Sequence, residues 1–175
     1  IAAARQVTTD GRVMSLVLAK RGRFLVAKSD SHIAIVDADR FTLIKEYPFP
    51  EEKDGGSMHG LAVSPDGATI YFTGKKKNLY SGTLDDLGAL VRQSTVDLSA
   101  DKKAVVNPLG IGLTPDGRLA VVALAVANQV AVVNLAAGEV VAHIPVGVCP
   151  YGVAVSSDGK TAFVSNFGGR RAGKG

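Results

Sequence analysis

The stretch GLAVSPDG at residues 60–67 recurs twice along the chain, as GIGLTPDG at residues 110–117 and as GVAVSSDG at residues 152–159. A weaker copy, SLVLAKRG, occupies residues 15–22. The closing glycines of the four copies lie 45, 50 and 42 residues apart. Self-similarity at this spacing indicates an array in which one supersecondary unit recurs.

Each copy has the residues of a strand that runs into a tight turn. An alternating apolar run leads into Pro-Asp-Gly or Ser-Asp-Gly. Proline or serine starts such a turn, aspartate bonds the backbone ahead, and glycine accepts a positive φ. The pattern therefore predicts a β-hairpin corner. A second apolar run follows each corner, at residues 23–27, 69–73, 119–124 and 161–165.

Two more strands complete each repeat. The third strands are predicted at residues 32–37, 78–83 and 129–134, and the fourth at 42–47, 90–98 and 139–146. Four strands per repeat, with no amphipathic helical window between them, are typical of a β-propeller blade. A β-sandwich is the alternative, but it does not require the same corner at every fourth strand. We therefore predict an all-β propeller.

The last repeat carries a resemblance to a known family. Residues 146–166, VGVCPYGVAVSSDGKTAFVSN, resemble the YVTN-type propeller repeat. In that repeat a glycine-proline approach leads into an apolar strand, a corner, and a second strand similar to Tyr-Val-Thr-Asn, here AFVSN. The resemblance covers nearly the whole chain and is strongest from Gly110 onward. Residues 166–171, NFGGRR, are similar to blade ends of YncE-like propellers that precede a phosphoesterase domain in some bacterial proteins.

The resemblance also sets expectations about the whole protein. It implies a ring of about seven blades, exported to the periplasm or the cell exterior. Within that frame we expect residues 1–175 to form about three and a half blades as a partial ring. The repeats are placed at about 13–47, 58–98, 108–146 and 150–166, with a flexible tail at 167–175. The opening stretch from Ala2 to Val7 is expected to supply one outer strand.

The composition fits a soluble, turn-rich β protein with a substantial core. Hydrophobic residues make up 46% of the chain, charged residues 21%, and 20 residues are glycine,. Tryptophan is absent, which disfavours the WD-repeat type of propeller. Cys149 is the single cysteine, so no disulfide framework is predicted,. Polar residues interrupt every apolar run, so no membrane insertion is expected.

The positive charge does not point to nucleic acid. The net charge is +4 and the pI is near 9.3. Much of the local density comes from Lys75, Lys76 and Lys77, which fall in a predicted turn and are interpreted as solvent-facing. A nucleic-acid surface needs a basic stripe with interleaved aromatic residues, and only Tyr80 lies near. No nucleic-acid partner is predicted.

Motifs for catalysis or for a cofactor are not convincing. Residues 168–174 match the glycine spacing of a phosphate-binding loop, but Gly175 stands where serine or threonine would hold magnesium,. The histidines His32, His59 and His143 lack metal-site spacing. We therefore predict no catalytic residue, no metal ligand and no cofactor.

The candidate ligand site follows from propeller geometry. Residues that lead into the innermost strands gather around one mouth of the central channel, which places His59 and Tyr151 there. An unidentified protein or small molecule is the expected ligand, and the remaining blades of the parent chain are expected neighbours. Asn128 and Asn166 are interpreted as residues that fix turns by side-chain to backbone bonds.

Two classes of function fit this sequence. The first is a non-enzymatic propeller module that serves as a binding or interaction scaffold. The second is a lactonase-like hydrolase on the same scaffold, or a propeller domain attached to a phosphoesterase domain. The hydrolase requires a cluster of carboxylate, histidine and arginine at the channel mouth, whereas the module does not.

Overall fold

A computed structural model describes residues 5–50, 54–101 and 103–169. This part of the chain forms antiparallel sheets whose strands follow one another in sequence order. The strands of blade 1 are β1 (Ser15–Ala19), β2 (Phe24–Lys28), β3 (His32–Asp37) and β4 (Thr42–Pro48), and those of blade 2 are β5 (Gly56–Val63), β6 (Thr69–Gly74), β7 (Asn78–Leu84) and β8 (Leu90–Asp97). Blade 3 consists of β9 (Pro108–Leu113), β10 (Leu119–Leu124), β11 (Gln129–Asn134) and β12 (Glu139–Pro145), and blade 4 of β13 (Pro150–Val155) and β14 (Ala162–Asn166).

The first strand of each sheet is the innermost. β1 contacts β5, β5 contacts β9, and β9 contacts β13, so the four sheets fan out around one shared axis. No α-helix occurs in the described residues, where the only helical turn is a 3-10 turn at Lys20–Gly22. The fold is therefore an all-β propeller in the form of a partial ring, as the repeat period predicted.

The hydrophobic core lies between neighbouring blades rather than within one sheet. Between blades 1 and 2, Phe24 and Ile35 pack with Ile70, Phe72 and Tyr80. Between blades 2 and 3 a second cluster joins Leu79 and Leu98 to β10 and β11. Each blade thus buries its flank on the next, as in other repeat architectures.

The three Asp-Gly corners share one hydrogen-bond arrangement. In blade 3 the Thr114 hydroxyl donates to Asp116 Oδ1 at 2.6 Å, and the same oxygen accepts the Arg118 N–H at 3.0 Å. The Leu119 N–H donates back to Thr114 Oγ1 at 3.0 Å. Equivalent bonds form around Asp66 and Asp158. The sequence pattern therefore specifies this turn by side chains as well as by glycine.

The corners also touch one another around the ring. Lys20 N–H donates to the Gly67 carbonyl at 2.9 Å. A Cβ at Gly117 would lie 3.2 Å from the Pro65 ring, and a Cβ at Gly159 would lie 3.4 Å from the Pro115 ring. Each corner glycine therefore faces the corner of the preceding blade.

The predicted opening strand is not found in the part of it that the structure describes. Residues 5–7 are not in a strand, and Arg5 instead donates from Nη1 to the Asp39 carbonyl at 3.2 Å. Residues 2–4 of that stretch lie outside the described residues, as do residues 170–175 of the predicted tail. The described residues contain 14 strands, and these correspond to the 14 strands that the sequence predicts after Val7.

Apolar side chains stand exposed on the outer flanks of the first and last blades. Leu16 and Leu18 of β1 are 60% and 56% exposed, and Phe163 of β14 is 63% exposed. β14 pairs only with β13, so its other edge carries no strand in the described structure.

The described residues include no helix that is long and apolar enough to cross a membrane.

Candidate binding site at the rim of the hub

The two residues predicted at the channel mouth contact each other. We call residues 58–60, 108–110 and 150–152 the rim, because they lie at or near the start of the inner strands β5, β9 and β13. The rings of His59 and Tyr151 stack, with centroids 5.3 Å apart and planes inclined by 9°. His59 belongs to blade 2 and Tyr151 to blade 4, so the stack spans the inner strand of blade 3. Both side chains are half-buried.

Glycine at the rim permits this close approach. Gly60 has a φ of +78°, and a Cβ there would overlap both the Leu109 carbonyl oxygen and Thr73 Oγ1. A Cβ at Gly110 would overlap the Tyr151 carbonyl oxygen. The backbones of successive inner strands therefore meet at the rim without room for a side chain.

A fully buried lysine lies directly beneath His59. Lys28, at the end of β2 in blade 1, has 0% exposure. Its ammonium donates to the Ser57 carbonyl at 2.9 Å, to Ser57 Oγ at 3.0 Å and to the His59 carbonyl. Thr73 Oγ1 lies 3.4 Å from the same nitrogen. All four oxygens belong to blade 2, so Lys28 joins the first two blades at the rim.

Thr73 carries the polar connection on to blade 3. Its hydroxyl oxygen lies 3.0 Å from the His59 carbonyl oxygen and 3.2 Å from the Leu109 carbonyl oxygen. Ser57 Oγ lies 2.6 Å from Thr73 Oγ1. Because Leu109 precedes the glycine that touches the Tyr151 backbone, one continuous set of contacts connects Lys28 with both stacked rings.

A buried carboxylate occupies the same side of blade 2. Asp54 is 2% exposed, and its Oδ1 accepts the Lys76 N–H at 2.7 Å. Its Oδ2 accepts the Tyr80 hydroxyl at 2.7 Å and the Asn78 amide at 3.2 Å. These donors satisfy a buried charge that would otherwise be costly.

The electrostatics of the site follow from its burial. Desolvation lowers the pKa of Lys28 from 10.5 to about 7, although Asp54 acts to raise it,. Burial, and then the positive charge of Lys28, lower the pKa of His59. At neutral pH the imidazole of His59 is therefore uncharged where it stacks on Tyr151.

The other singled-out residues lie elsewhere or act differently. Asn128 makes a side-chain to backbone bond, as predicted: its Oδ1 accepts the N–H of Cys149, the residue before β13, at 2.8 Å. Asn166 Nδ2 reaches the Val164 carbonyl at 3.4 Å, and its buried Oδ1 has no partner in the described structure. His143 Nε2 lies 2.9 Å from the Leu98 carbonyl oxygen. Lys77 pairs with Asp97 at 2.7 Å.

Two further features of the described residues bear on the chemistry. They contain no group of three or more histidine, cysteine, aspartate or glutamate side chains arranged to hold a metal ion. An open cavity of about 630 Å³ lies between the corners of blades 3 and 4 and is lined by residues such as Arg118, Asn134 and Asp158. That cavity lies at the corner end of the inner strands, opposite the rim.

Lys28 was missed by the sequence reasoning. The strand register aligns it with Gly74, Leu124 and Asn166 in the other blades, so the repeat itself gives no reason to expect a cation there. The available signal was a lysine that directly follows the apolar run FLVA at residues 24–27.

The architecture defines the class of protein as a β-propeller, and comparisons with solved structures agree. The chain is similar to Kuenenia stuttgartiensis hydrazine synthase, with 17% identity, a TM-score of 0.78, and coverage of 91% of this chain and 57% of that one. A functionally unknown protein from Desulfotomaculum acetoxidans DSM 771 is 19% identical, with a TM-score of 0.74 and coverage of 90% and 50%. The Cps50 (Swd1) β-propeller domain of Myceliophteria thermophila is 11% identical, with a TM-score of 0.73 and coverage of 89% and 48%.

These likenesses show the fold and nothing finer. The chain spans about half the length of the solved structures it matches. No protein-family model matches the chain, and no curated protein matches it either.

Proposed function

We propose that this chain is a non-enzymatic propeller module that binds a protein or small-molecule ligand at the rim, through His59 and Tyr151. The stack of these two rings is the observation that carries the proposal. The rings come from blades 2 and 4, so they converge only because the inner strands fan around one axis. Half-buried aromatic groups with a polar edge are well suited to recognition, because they combine apolar area with hydrogen-bonding atoms.

The backbone supports the same use of the rim. Gly60 and Gly110 allow the strand ends to lie in close contact. Lys28 donates a hydrogen bond to the His59 carbonyl, and Thr73 donates one to the Leu109 carbonyl. The rings therefore lie on a closely packed, hydrogen-bonded base, and such pre-organisation lowers the entropic cost of binding. The same observations fit a planar small molecule and an inserted side chain of a protein partner.

An NMR screen of small aromatic and polar fragments tests the proposal. We expect fragments that bind to shift the ring signals of His59 and Tyr151. Binding should be lost in His59→Ala and in Tyr151→Ala, and retained in His32→Ala, which removes an imidazole from β3, the third strand of blade 1. Fragments that bind equally well to all three variants, or only at other signals, would refute the rim as the ligand site.

A hydrolase on the same scaffold is the second candidate. The observation in its favour is the amine of Lys28, with a pKa of about 7, beneath an uncharged histidine. Its weakness is that the amine is fully buried and surrounded by oxygen acceptors. An assay for hydrolysis of simple lactones and aryl esters distinguishes the two candidates. Turnover that is present in the wild-type chain and lost in His59→Ala would support the hydrolase and contradict the binding module.

We further propose that additional blades complete the ring in a longer, exported protein. Support comes from the two-stranded sheet of blade 4 beside three four-stranded sheets, and from the apolar flanks at Leu16, Leu18 and Phe163. Export is supported by the sequence resemblance to YVTN-type repeats. A phosphoesterase domain after the propeller is supported by the similarity of residues 166–171 to blade ends of YncE-like propellers. Cell fractionation of the parent protein, with a phosphatase assay, tests both points.

A further inference from the structure

The ammonium of Lys28 is surrounded by neutral oxygens. Two of its acceptors are carbonyls, of Ser57 and His59, and two are hydroxyls, of Ser57 and Thr73. None of these partners is a carboxylate. Hydrogen bonds to blade 2, together with the nearby charge of Asp54, therefore stabilise the charge of Lys28.

The position of these oxygens matters for the rim. The His59 carbonyl belongs to the same residue whose ring stacks on Tyr151. The Ser57 hydroxyl also donates to that carbonyl at 2.7 Å. Lys28 and Ser57 thus hold the backbone of His59 from below, and this backbone sets where the imidazole stands.

We propose that Lys28 is a positioning residue that regulates the rim: its ammonium holds the His59 backbone so that the imidazole lies on the Tyr151 ring, and loss of one proton loosens the stack. The consequence of this loosening for ligand binding rests on the proposed function of the rim. The effect of Lys28 on the two rings does not depend on that proposed function.

The chemistry of the acceptors explains why one proton matters. An ammonium has three N–H donors, enough for both carbonyls and one hydroxyl. A neutral amine has two N–H groups and a lone pair, and a lone pair turned toward a carbonyl oxygen is repelled. The hydroxyls of Ser57 and Thr73 can rotate to donate to the amine, whereas the carbonyls can only accept. The two remaining N–H groups can still donate to the carbonyls, but hydrogen bonds from a neutral amine are weaker than the charge-assisted bonds from an ammonium. Deprotonation therefore weakens the hold of Lys28 on the His59 backbone.

The groups that face Lys28 place this change near neutral pH. Burial lowers its pKa to about 7, and the nearby charge of Asp54, on the segment before β5, keeps it from falling further. His59 on β5 is the other titratable neighbour, and its pKa is lowered by burial and by Lys28. β6 contributes Thr73, which is uncharged. The stack is then best ordered between the lowered pKa of His59 and about pH 7.

The free energy of unfolding is expected to change with pH in the opposite direction to the order of the stack. This difference distinguishes a positioning role of Lys28 from a purely structural one. A lysine whose folded pKa is lowered takes up fewer protons in the folded chain than in the unfolded chain between about pH 7 and pH 10.5. The free energy of unfolding therefore rises with pH across that window. Order at the rim is expected to fall as the pH passes 7, while stability rises.

NMR titration of the unliganded protein between pH 5 and pH 9 is the test. We expect the Cε signal of Lys28 to titrate near pH 7. The ring signals of His59 and Tyr151 should show a step at the same pH, besides the titration of His59 itself at lower pH. The step near pH 7 should be lost in Lys28→Met and kept in Lys160→Met, an exposed lysine on blade 4.

The outcomes separate cleanly. Ring signals that do not change as Lys28 titrates, or a Lys28 that does not titrate between pH 5 and pH 9, would overturn the proposal. If Lys28→Met does not fold, the wild-type titration still decides, and Ser57→Ala should shrink the step by removing one acceptor. Because no ligand is present, a failure to find ligands at the rim leaves this test unaffected.

Discussion

Single residues at the rim show how tightly neighbouring blades constrain the sequence. Gly60, Gly110 and Gly152 occupy the same position in three blades, directly after the residue whose carbonyl meets the blade before it. A side chain at Gly110 would overlap the Tyr151 carbonyl oxygen, whereas at Gly152 the only close atom is Ser165 Oγ, at 3.0 Å. The steric requirement for glycine is therefore stricter at position 110 than at the equivalent position 152.

Gly110→Ala is expected to destabilise the protein by about 1–3 kcal/mol, the usual cost of overpacking a closed site. The added methyl group can be accommodated only if β9 and β13 move apart at the rim. Chemical denaturation measures the effect. Gly152→Ala is the matched control and should cost clearly less, because a hydroxyl can rotate away. Equal losses in the two variants would show that the steric contact is unimportant.

For single residues, the sequence predicted the place along a strand better than it predicted the contacts of the side chain. His59 and Tyr151 could be placed at strand ends because the repeat shows where each inner strand begins. Their stacking could not be predicted, since it depends on how far the inner strands turn about the axis from one blade to the next. Lys28 could not be predicted either, because its partners lie 29 to 45 residues away in another blade.

Among the elements, the Asp-Gly corner is the most strongly specified. In blades 2, 3 and 4 a serine or threonine and an aspartate bond each other and the backbone ahead. Hydrogen bonds from the hydroxyl and from the backbone are the main causes that lower the pKa of Asp66, Asp116 and Asp158. The ionised form of each aspartate thus helps to hold its corner.

The corners should therefore make the protein sensitive to acid. A carboxyl with a lowered folded pKa stabilises the fold above its unfolded pKa, about 3.9 for aspartate, and loses that contribution as pH falls through the folded value. Urea denaturation at pH 6 and pH 3 measures the loss. The double variant Asp116→Asn/Asp158→Asn keeps the acceptor oxygen without a titrating charge and should lose less stability on acidification.

Asp86→Asn is the control, because the side chain of Asp86 is 88% exposed and its ion pair with Lys20, at 3.3 Å, is a surface pair that contributes little to stability,. It should behave like the wild-type chain between the two pH values. If the double variant is as acid-sensitive as Asp86→Asn, corner carboxylates do not account for the acid response.

Strand positions were largely predictable because turn residues mark them. The second, third and fourth strands of the three complete sheets begin and end within one residue of the positions that the sequence indicated. The error fell where no such marker exists. The stretch before Gly11 has apolar residues but no corner that fixes its register. Its described residues 5–7 form no strand, and Arg5 donates to the Asp39 carbonyl.

Across the whole molecule, the flanks of the first and last blades differ from the packed interfaces between blades. Interior flanks bury residues such as Ile35 and Phe72 to 1% exposure or less, whereas Leu16 and Leu18 remain more than half exposed. Contiguous apolar surface of this kind favours association. We therefore expect this chain by itself to self-associate with rising concentration.

Replacing Leu16 and Leu18 with lysine tests that expectation. The double variant should aggregate less in a light-scattering concentration series, because two charges then occupy the apolar flank. Its free energy of unfolding should change by no more than about 0.5 kcal/mol, as for most surface substitutions. Val141→Lys on the outer strand β12, where Val141 is 52% exposed, is the control and should not reduce aggregation. A wild-type chain that stays monomeric throughout would contradict the expectation.

The stacking of corners has a consequence for how such a chain can lengthen. Each duplicated segment carries a proline or equivalent residue that faces forward and a glycine that faces back, as Pro65 meets Gly117 and Pro115 meets Gly159. A tandem gene duplication therefore supplies both halves of a new joint at once, and no complementary surface has to evolve separately. The number of repeats in such a chain can therefore change by copying alone.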